Sequence, residues 1–345
     1  MVNPEAALIL FLLLTVCSLI FVHRWFSVIQ FSHGDDQSID DLIVTIKDED
    51  QFLTCDHLDE IIKISVIGEG AVKVVWLAKW RESLIALSQL KTNFYQDDFN
   101  HNLEMIQQLA DSGKVIKLLG ICNNSIIMTQ FHPFGNPLNL LVWNNFWPNP
   151  IINGLGDCLK LCLQFVDLIN YLHSHPSGPL VMCDSNTLDK LLSQLLLSIV
   201  DHDSDFTVNG LQLIFNDLDA LPNVQQGKGI KCGSRQLVGT FVAPEQLWPY
   251  PDEPFNDNLM PPYNEKIDIW KIPDVCLWFI KLSSSCHRLI GLLEPIHDQC
   301  KHKDPKLRPN ASTIHQEYRK IYQQLSIETK SDDRDSNNLD QRIDL

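Results

Sequence analysis

The sequence predicts an α+β fold in two lobes, a five-stranded antiparallel lobe followed by a mainly helical one, preceded by a single transmembrane helix. Three observations carry this: strand-like runs flank a glycine turn early on, helical apolar stripes follow, and an uncharged run opens the chain. With 345 residues, 45% hydrophobic and 20% charged, the chain can bury a full core. Its length suits one two-lobed domain with short appendages. A formal net charge of -16, from 27 Lys+Arg against 43 Asp+Glu, argues against nucleic acid as a partner. An anionic nucleotide would therefore need a local basic anchor.

Residues Ala6 to Val22 carry no charge and span about 26 Å as a helix, just enough to cross a bilayer. No small-x-small cleavage site precedes the bulky His23-Arg24-Trp25-Phe26, so residues 6–23 read as an uncleaved signal-anchor behind a short cytoplasmic amino terminus, 1–5. His23 and Arg24 alone would keep the large domain cytoplasmic by the positive-inside rule. Two N-glycosylation sequons, at Asn123 and Asn310, and ten cysteines lean the other way. One cysteine, Cys17, lies inside the apolar run, so the remaining nine cannot all pair within one chain. None shows C-x-x-C metal spacing.

Residues 24–57 are polar and acidic around Asp35-Asp36-Gln37-Ser38-Ile39-Asp40-Asp41 and read as a stem. A folded domain is expected over 58–328, its first lobe about 58–135 and its second about 136–328. Within the first, Ile61 to Ile67 and Val72 to Leu77 read as strands around a glycine turn, and Leu84 to Leu87 as a third. A helix follows through Phe99, Leu103, Ile106 and Leu109, then strands at Val115 to Leu119 and Ile126 to Gln130. The second lobe begins with an apolar stripe through Leu159, Leu163, Leu168 and Leu172. Cys158 and Cys162, one turn apart on it, read as core filler rather than a ligand pair. After Ser326 the charges return, and 329–345 reads as a disordered tail.

The glycine turn, Gly68-Glu69-Gly70-Ala71-Val72-Lys73, is a weak signal alone, but an ordered series follows it. Tyr171-Leu172-His173 ends a helix ahead of Asp184, Asn216-Asp217-Leu218-Asp219 follows an apolar strand, and Ala243-Pro244-Glu245, Asp268-x-Trp270 and Asp304-Pro305-x-Leu307-Arg308 come next. That order matches a protein kinase catalytic domain. Phosphoryl transfer is mostly positioning and charge neutralisation, so it needs a backbone cradle, a cation, a metal-binding carboxylate and a carboxylate facing the acceptor hydroxyl. Gly68 and Gly70 would form the cradle, Asp217 would hold Mg²⁺ (or Mn²⁺), and Asp184 would accept the proton. Glu245 and Arg308 resemble the structural ion pair that ties the activation segment to a late helix, and Asp268 the residue that braces the catalytic loop.

The departures inform as much as the matches. Met182-Cys183-Asp184 lacks the arginine that would meet a phosphorylated activation segment, which argues against a phosphate-driven switch. Asn186 stands where serine/threonine kinases place a lysine against the transferring phosphate, and either Asn186 or Asp189 completes the metal site. Ser88 occupies the usual ATP-lysine slot, and Lys73 on the preceding strand takes over the charge in an arrangement that resembles the with-no-lysine kinases. The competing reading is a surface lysine beside an empty pseudokinase pocket. Seven residues before Leu109 stands Asn102, and Glu104 is turned ~200° from it, so no ordinary lysine–glutamate pair is expected.

Specific strings narrow the resemblance. Ala86-Leu87-Ser88-Gln89-Leu90, Val181-Met182-Cys183-Asp184-Ser185-Asn186, Asn216-Asp217-Leu218-Asp219-Ala220-Leu221-Pro222 and Phe241-Val242-Ala243-Pro244-Glu245-Gln246-Leu247-Trp248 are similar to the protein O-mannose kinases, over roughly residues 55 to 325. The resemblance implies an ATP- and Mg²⁺- or Mn²⁺-dependent enzyme anchored in the endoplasmic reticulum membrane as a single-pass type II protein with a lumenal catalytic domain. It further implies an acceptor: the 6-hydroxyl of mannose in a GalNAc-GlcNAc-mannose O-glycan of α-dystroglycan. A lumenal pseudokinase scaffold is the alternative. Two departures stand out: only Cys55 remains in the stem, so a disulfide within the stem is not assumed, and 32 residues separate Asp184 from Asp217. The enlarged loop around Asp201-His202-Asp203-Ser204-Asp205 reads as a solvated hairpin tip rather than a cation site.

Overall fold

The computed structural model describes residues 51–146, 151–200, 207–225 and 228–343. The expected signal-anchor at 6–23, the expected stem up to residue 50, Cys17 and the Asp201–Asp205 cluster lie outside the described residues. Among the described residues, no helix is long and apolar enough to cross a membrane. Two compact units divide the chain: Phe52–Trp80 with Leu84–Leu345, which holds nearly every element below, and Met1–Gln51 with Arg81–Ser83.

Five strands form one antiparallel sheet: β1 (Ile61–Glu69), β2 (Lys73–Trp80), β3 (Ser83–Leu90), β4 (Leu118–Cys122) and β5 (Ile126–Gln130), in the order β1-β2-β3-β5-β4. The strand after α1 (Gln96–Leu109) returns to the far edge, so β5 rather than β4 pairs with β3. Alternation along β2 and β3 buries Ala78, Trp80, Ile85 and Leu87 against Met128. Helix α1 buries Phe99, Leu103, Ile106 and Leu109 on one side, the stripe read from the sequence.

Two boundaries differ from expectation. Val115 and Ile116 are buried but belong to no strand of this sheet: Ile116 N–H donates to Phe215 O at 2.9 Å, and Phe215 N–H to Lys114 O at 2.8 Å. The β4 run therefore starts at Leu118, three residues later than its apolar pattern indicates. Ordered packing also reaches back to Leu53, whose N–H and C=O pair with Leu119 and Ile121 at 2.8 and 3.0 Å. Gly120 permits that approach, because a Cβ there would sit 2.3 Å from Leu53 O.

The helical part comprises α2 (Leu140–Phe146), α3 (Leu155–His173), α4 (Leu188–Ser193), α5 (Lys266–Lys281), α6 (Arg288–Cys300) and α7 (Ala311–Ile343). Strands β6 (Leu195–Ile199) and β7 (Leu211–Phe215) pair antiparallel between α4 and α5. The described part of the enlarged stretch between Asp184 and Asp217 is thus α4 and this strand pair. Helix α3 is the axis, with Leu159, Phe165, Val166, Ile169 and Leu172 fully buried and both α5 and α7 packed on it. Residues 329–343, expected as a disordered tail, continue α7, whose sequence holds no glycine or proline to stop it.

The cysteines depart most from expectation. Cys55 pairs with Cys122, Cys158 with Cys286, and Cys183 with Cys232. Cys158 is therefore a cross-link and not core filler, while its neighbour Cys162 is a buried free thiol, as are Cys276 and Cys300. Cys55, the one cysteine of the stem, finds its partner in β4 rather than in the stem. Just beyond β5, His132 is 6% exposed, and burial pushes its imidazole down to about 4.

Candidate active site

Three carboxylates meet although they are far apart in sequence: Asp184, Asp217 and Asp219 each offer an oxygen within 4.8 Å of the others'. Asp184 follows the brace of the catalytic loop, and Asp217 and Asp219 follow β7. Backbone ties hold the two stretches together, with Cys183 N–H donating to Ala220 O at 3.0 Å and Asn216 N–H to Gln194 O, at the end of α4, at 2.8 Å.

Lys73 opens β2, and its Nζ donates to Asp217 Oδ1 at 2.8 Å, with both side chains largely buried. The geometry therefore brings the relocated lysine to the metal-binding carboxylate and not to the solvent. Ser88, 8% exposed on β3, carries no charge that could replace it. The turn before Lys73 closes through Gly70 N–H to Lys73 O at 3.0 Å, and a Cβ on Gly70 would enter open space. Gly68 lies inside β1, opposite Val75. Lys91, unremarked in the sequence reading, donates to Glu69 Oε1 at 2.7 Å and Gly70 O at 3.2 Å, steadying this turn.

Asn102, at the slot of the helix glutamate, makes no ion pair. Its Oδ1 accepts from Leu218 N–H at 2.9 Å, while Glu104 is exposed. A neutral amide thus fastens α1 to the backbone between the two aspartates, without needing a charged partner on the sheet.

A divalent cation is implied by the fold, and the donor set fits one. The three clustered carboxylates supply only oxygen, the ligand preferred by Mg²⁺ and Mn²⁺. Asn186 Oδ1 is buried without any hydrogen-bond partner, which leaves a lone pair free for an ion. Asp189, the other candidate, is exposed in the first turn of α4. Burial, with the Asp217 carboxylate beside it, pushes Asp219 up to about 7, and Lys73 only partly offsets that. Bound there, such an ion would neutralise phosphate charge, and Asp217, Asp219 and Asn186 would be the residues to hold it.

Behind the loop stands a dry brace. Asp268, 1% exposed on α5, accepts from Met182 N–H at 3.1 Å and lies 3.2 Å from His173 Nε2. Lys271, one turn on and equally buried, donates to Ser185 Oγ at 2.5 Å; burial pushes its ammonium pKa down, against the pull of Asp268. Glu245 and Arg308 form a two-pronged pair at 2.6 and 2.8 Å, and Arg308 Nε also donates to His302 O.

Three features escaped the sequence reading. Cys183, in the slot of the missing arginine, is bonded to Cys232 of the segment between Asp217 and Ala243, so a covalent tie stands where a phosphate contact would. Cys232 N–H in turn donates to Tyr263 Oη at 2.6 Å. Lys190 on α4 lies 2.7 Å from Asp184 Oδ2; burial opposes its charge, but that bond and the charges of Asp184, Asp217 and Asp219 outweigh it and raise the ammonium pKa. The signal available for Lys190 was its place in the first turn of a Thr187-capped helix just after the base.

Both sequon asparagines are exposed. Asn123 sits with Asn124 in the β4–β5 turn at φ of 48° and 49°, a left-handed geometry that asparagine tolerates. Asn310 caps α7, its Oδ1 accepting from Thr313 N–H at 2.8 Å.

No protein-family model matches the chain. Among curated proteins it is 41% identical to the protein O-mannose kinase of Xenopus laevis over 332 residues, covering 92% of this chain and 91% of that one. It is 43% identical to the protein O-mannose kinase of Gallus gallus over 281 residues, 80% of this chain and 76% of the relative. The same enzyme of Homo sapiens is 43% identical over 279 residues, 79% and 77% of the two chains. On this similarity, and with Asp184, Asp217, Asp219 and Lys73 assembled in one place, the chain belongs to the protein O-mannose kinase family and is an ATP-dependent kinase.

Proposed function

We propose that this chain transfers the γ-phosphate of ATP to the 6-hydroxyl of an O-linked mannose within a GalNAc-GlcNAc-mannose trisaccharide of α-dystroglycan, from the lumenal side of the endoplasmic reticulum membrane. In the step, the hydroxyl proton passes to Asp184, the mannose oxygen bonds to phosphorus, and the bond from phosphorus to the bridging oxygen of ADP breaks. Lys73 balances charge on the nucleotide phosphates, and Asp217, Asp219 and Asn186 hold the divalent cation.

The observation that carries the reading is the 2.8 Å contact between Lys73 and Asp217. A decayed pocket has no reason to keep a mostly buried ammonium on its metal-binding carboxylate, because an unneeded charge there only costs desolvation. The lumenal placement draws support from three disulfides, which persist in oxidising compartments, and from two exposed sequon asparagines. A membrane-embedded 6–23, a stem to 57, and lobes at about 58–135 and 136–328 complete the proposed organisation.

The test incubates the full chain in detergent with Mg-ATP and either the defined trisaccharide or a serine-rich peptide. Phosphate on mannose alone is expected, and phosphate on the peptide alone would sink the proposal. Asp184→Asn should fold normally and lose transfer by at least about 100-fold.

A further inference from the structure

The acceptor side of this centre has a carboxylate base but no lysine two residues beyond it, since Asn186 stands there. A cation is nonetheless present. Lys190 Nζ lies 2.7 Å from Asp184 Oδ2, although it enters from the next helix. Its backbone is well fixed: Lys190 N–H donates to the capping Thr187 Oγ1 at 3.2 Å, and Lys190 O accepts from Ser193 Oγ at 2.7 Å. The helix end is fastened to the metal-binding strand through Gln194 O, which accepts from Asn216 N–H. The side chain itself is 45% exposed, so its four-carbon stem can swing while its root stays in place.

Charge matching points the same way. Three carboxylates converge here, and among the described residues Lys73 and Lys190 are the ammonium groups paired to them, Lys73 on Asp217 and Lys190 on Asp184. When the acceptor hydroxyl takes over Asp184, the Lys190 ammonium loses its partner within a few ångströms of where the phosphoryl group passes. A partly exposed pair is worth only about 0–1 kcal/mol to the fold, so little opposes its exchange.

We propose that Lys190 is the acceptor-side cation of this kinase, holding Asp184 until substrates arrive and then donating a hydrogen bond to the transferring γ-phosphate. It keeps all three of its protons throughout; the acceptor's proton goes to Asp184 and the electrons of the broken bond to ADP. The inference rests on the kinase reading above.

The experiment compares wild type with Lys190→Met, Lys190→Gln and Lys190→Arg in the full chain. Loss of one transition-state donor should lower kcat about 100-fold in the Met and Gln variants, with the arginine variant recovering most of it. Affinity for Mg-ATP by calorimetry should move less than about threefold, because the contact forms only as the phosphoryl group transfers. Unchanged kcat, or a loss that tracks weakened nucleotide binding or a lowered unfolding midpoint, would overturn the proposal. Should Lys190→Met fold poorly, Lys190→Gln, which keeps a polar tip at the exposed rim, decides. Should wild type leave mannose unmodified, the functional reading fails instead, and ADP release into water still tests Lys190: equal rates in wild type and Lys190→Met would refute its role.

Discussion

The two faces of the catalytic loop are held by opposite means. On the face where phosphate would lie, Lys73–Asp217 and Lys190–Asp184 are single contacts, the first between largely buried side chains, 13% and 20% exposed, and the second between partly exposed ones, 45% and 28%. Behind the loop, Asp268 and Lys271 are 1% exposed, Arg308 makes several bonds at once, and Cys183 is covalently fixed. The difference follows from what each face must do. A pair that yields to substrate, such as Lys190–Asp184, must be cheap to break, and Lys73–Asp217 can exchange its single contact for phosphate, whereas pairs that aim the loop must survive every turnover.

The comparison can be broken from its strong side first. Arg308→Met leaves Glu245 charged and without its partner, and should cost about 3–5 kcal/mol in urea unfolding. A cost below about 1 kcal/mol would mean that the brace is no firmer than a surface pair. On the phosphate face, Lys73→Met should spare the fold but cut ADP release at least about 100-fold, and adding Ser88→Lys should not restore it, since the second site approaches from another strand. Retained activity in Lys73→Met would end the case for a relocated lysine.

Intermediate effects sharpen the contrast. Cys232→Ser opens the tie beside Asp184 and should cost about 2–4 kcal/mol, with faster amide exchange over residues 228–243 and a lower kcat than Cys158→Ser at equal folded fraction. Equal exchange in that segment would show that the disulfide does not aim it. His132 tests burial by itself. The unfolded histidine takes a proton near its ordinary 6.5 whereas the folded one waits until about 4, so stability falls as pH drops through that window. His132→Phe should flatten this slope by on the order of 1–3 kcal/mol in denaturation at pH 4.5 against pH 7. The smallest effect belongs to Lys320, paired at 2.7 Å with Glu317 on an exposed face of α7: Lys320→Ala should change the unfolding free energy by less than about 0.5 kcal/mol.

Much of this molecule was legible because local chemistry marked it. Strand alternation, the glycine turn and the α1 and α3 stripes placed the main elements, and the spacing of Asp184, Asp217, Glu245, Asp268 and Arg308 singled them out as a kinase-like series. Boundaries failed where a distant segment competed for the same residues, as Phe215 does for Val115 and Ile116. Pairings failed for the same reason. Nothing near Cys55 or Cys158 in the chain announces Cys122 or Cys286, since a disulfide depends on which Cα atoms the finished fold brings together.

By itself, then, the sequence determined which groups are available: the carboxylates Asp184, Asp217 and Asp219, a lysine on β2 with serine in its usual β3 slot, and no arginine before Asp184. Those are matters of residue identity and spacing. The tertiary structure alone decided what each group faces. It put Lys73 on Asp217, left Asn186 Oδ1 open while turning Asp189 outward, gave Asn102 to the Leu218 backbone, and filled two vacant charge slots with Cys183–Cys232 and Lys190. Such contacts join residues that chain order separates, and only closure of the fold sets their distances.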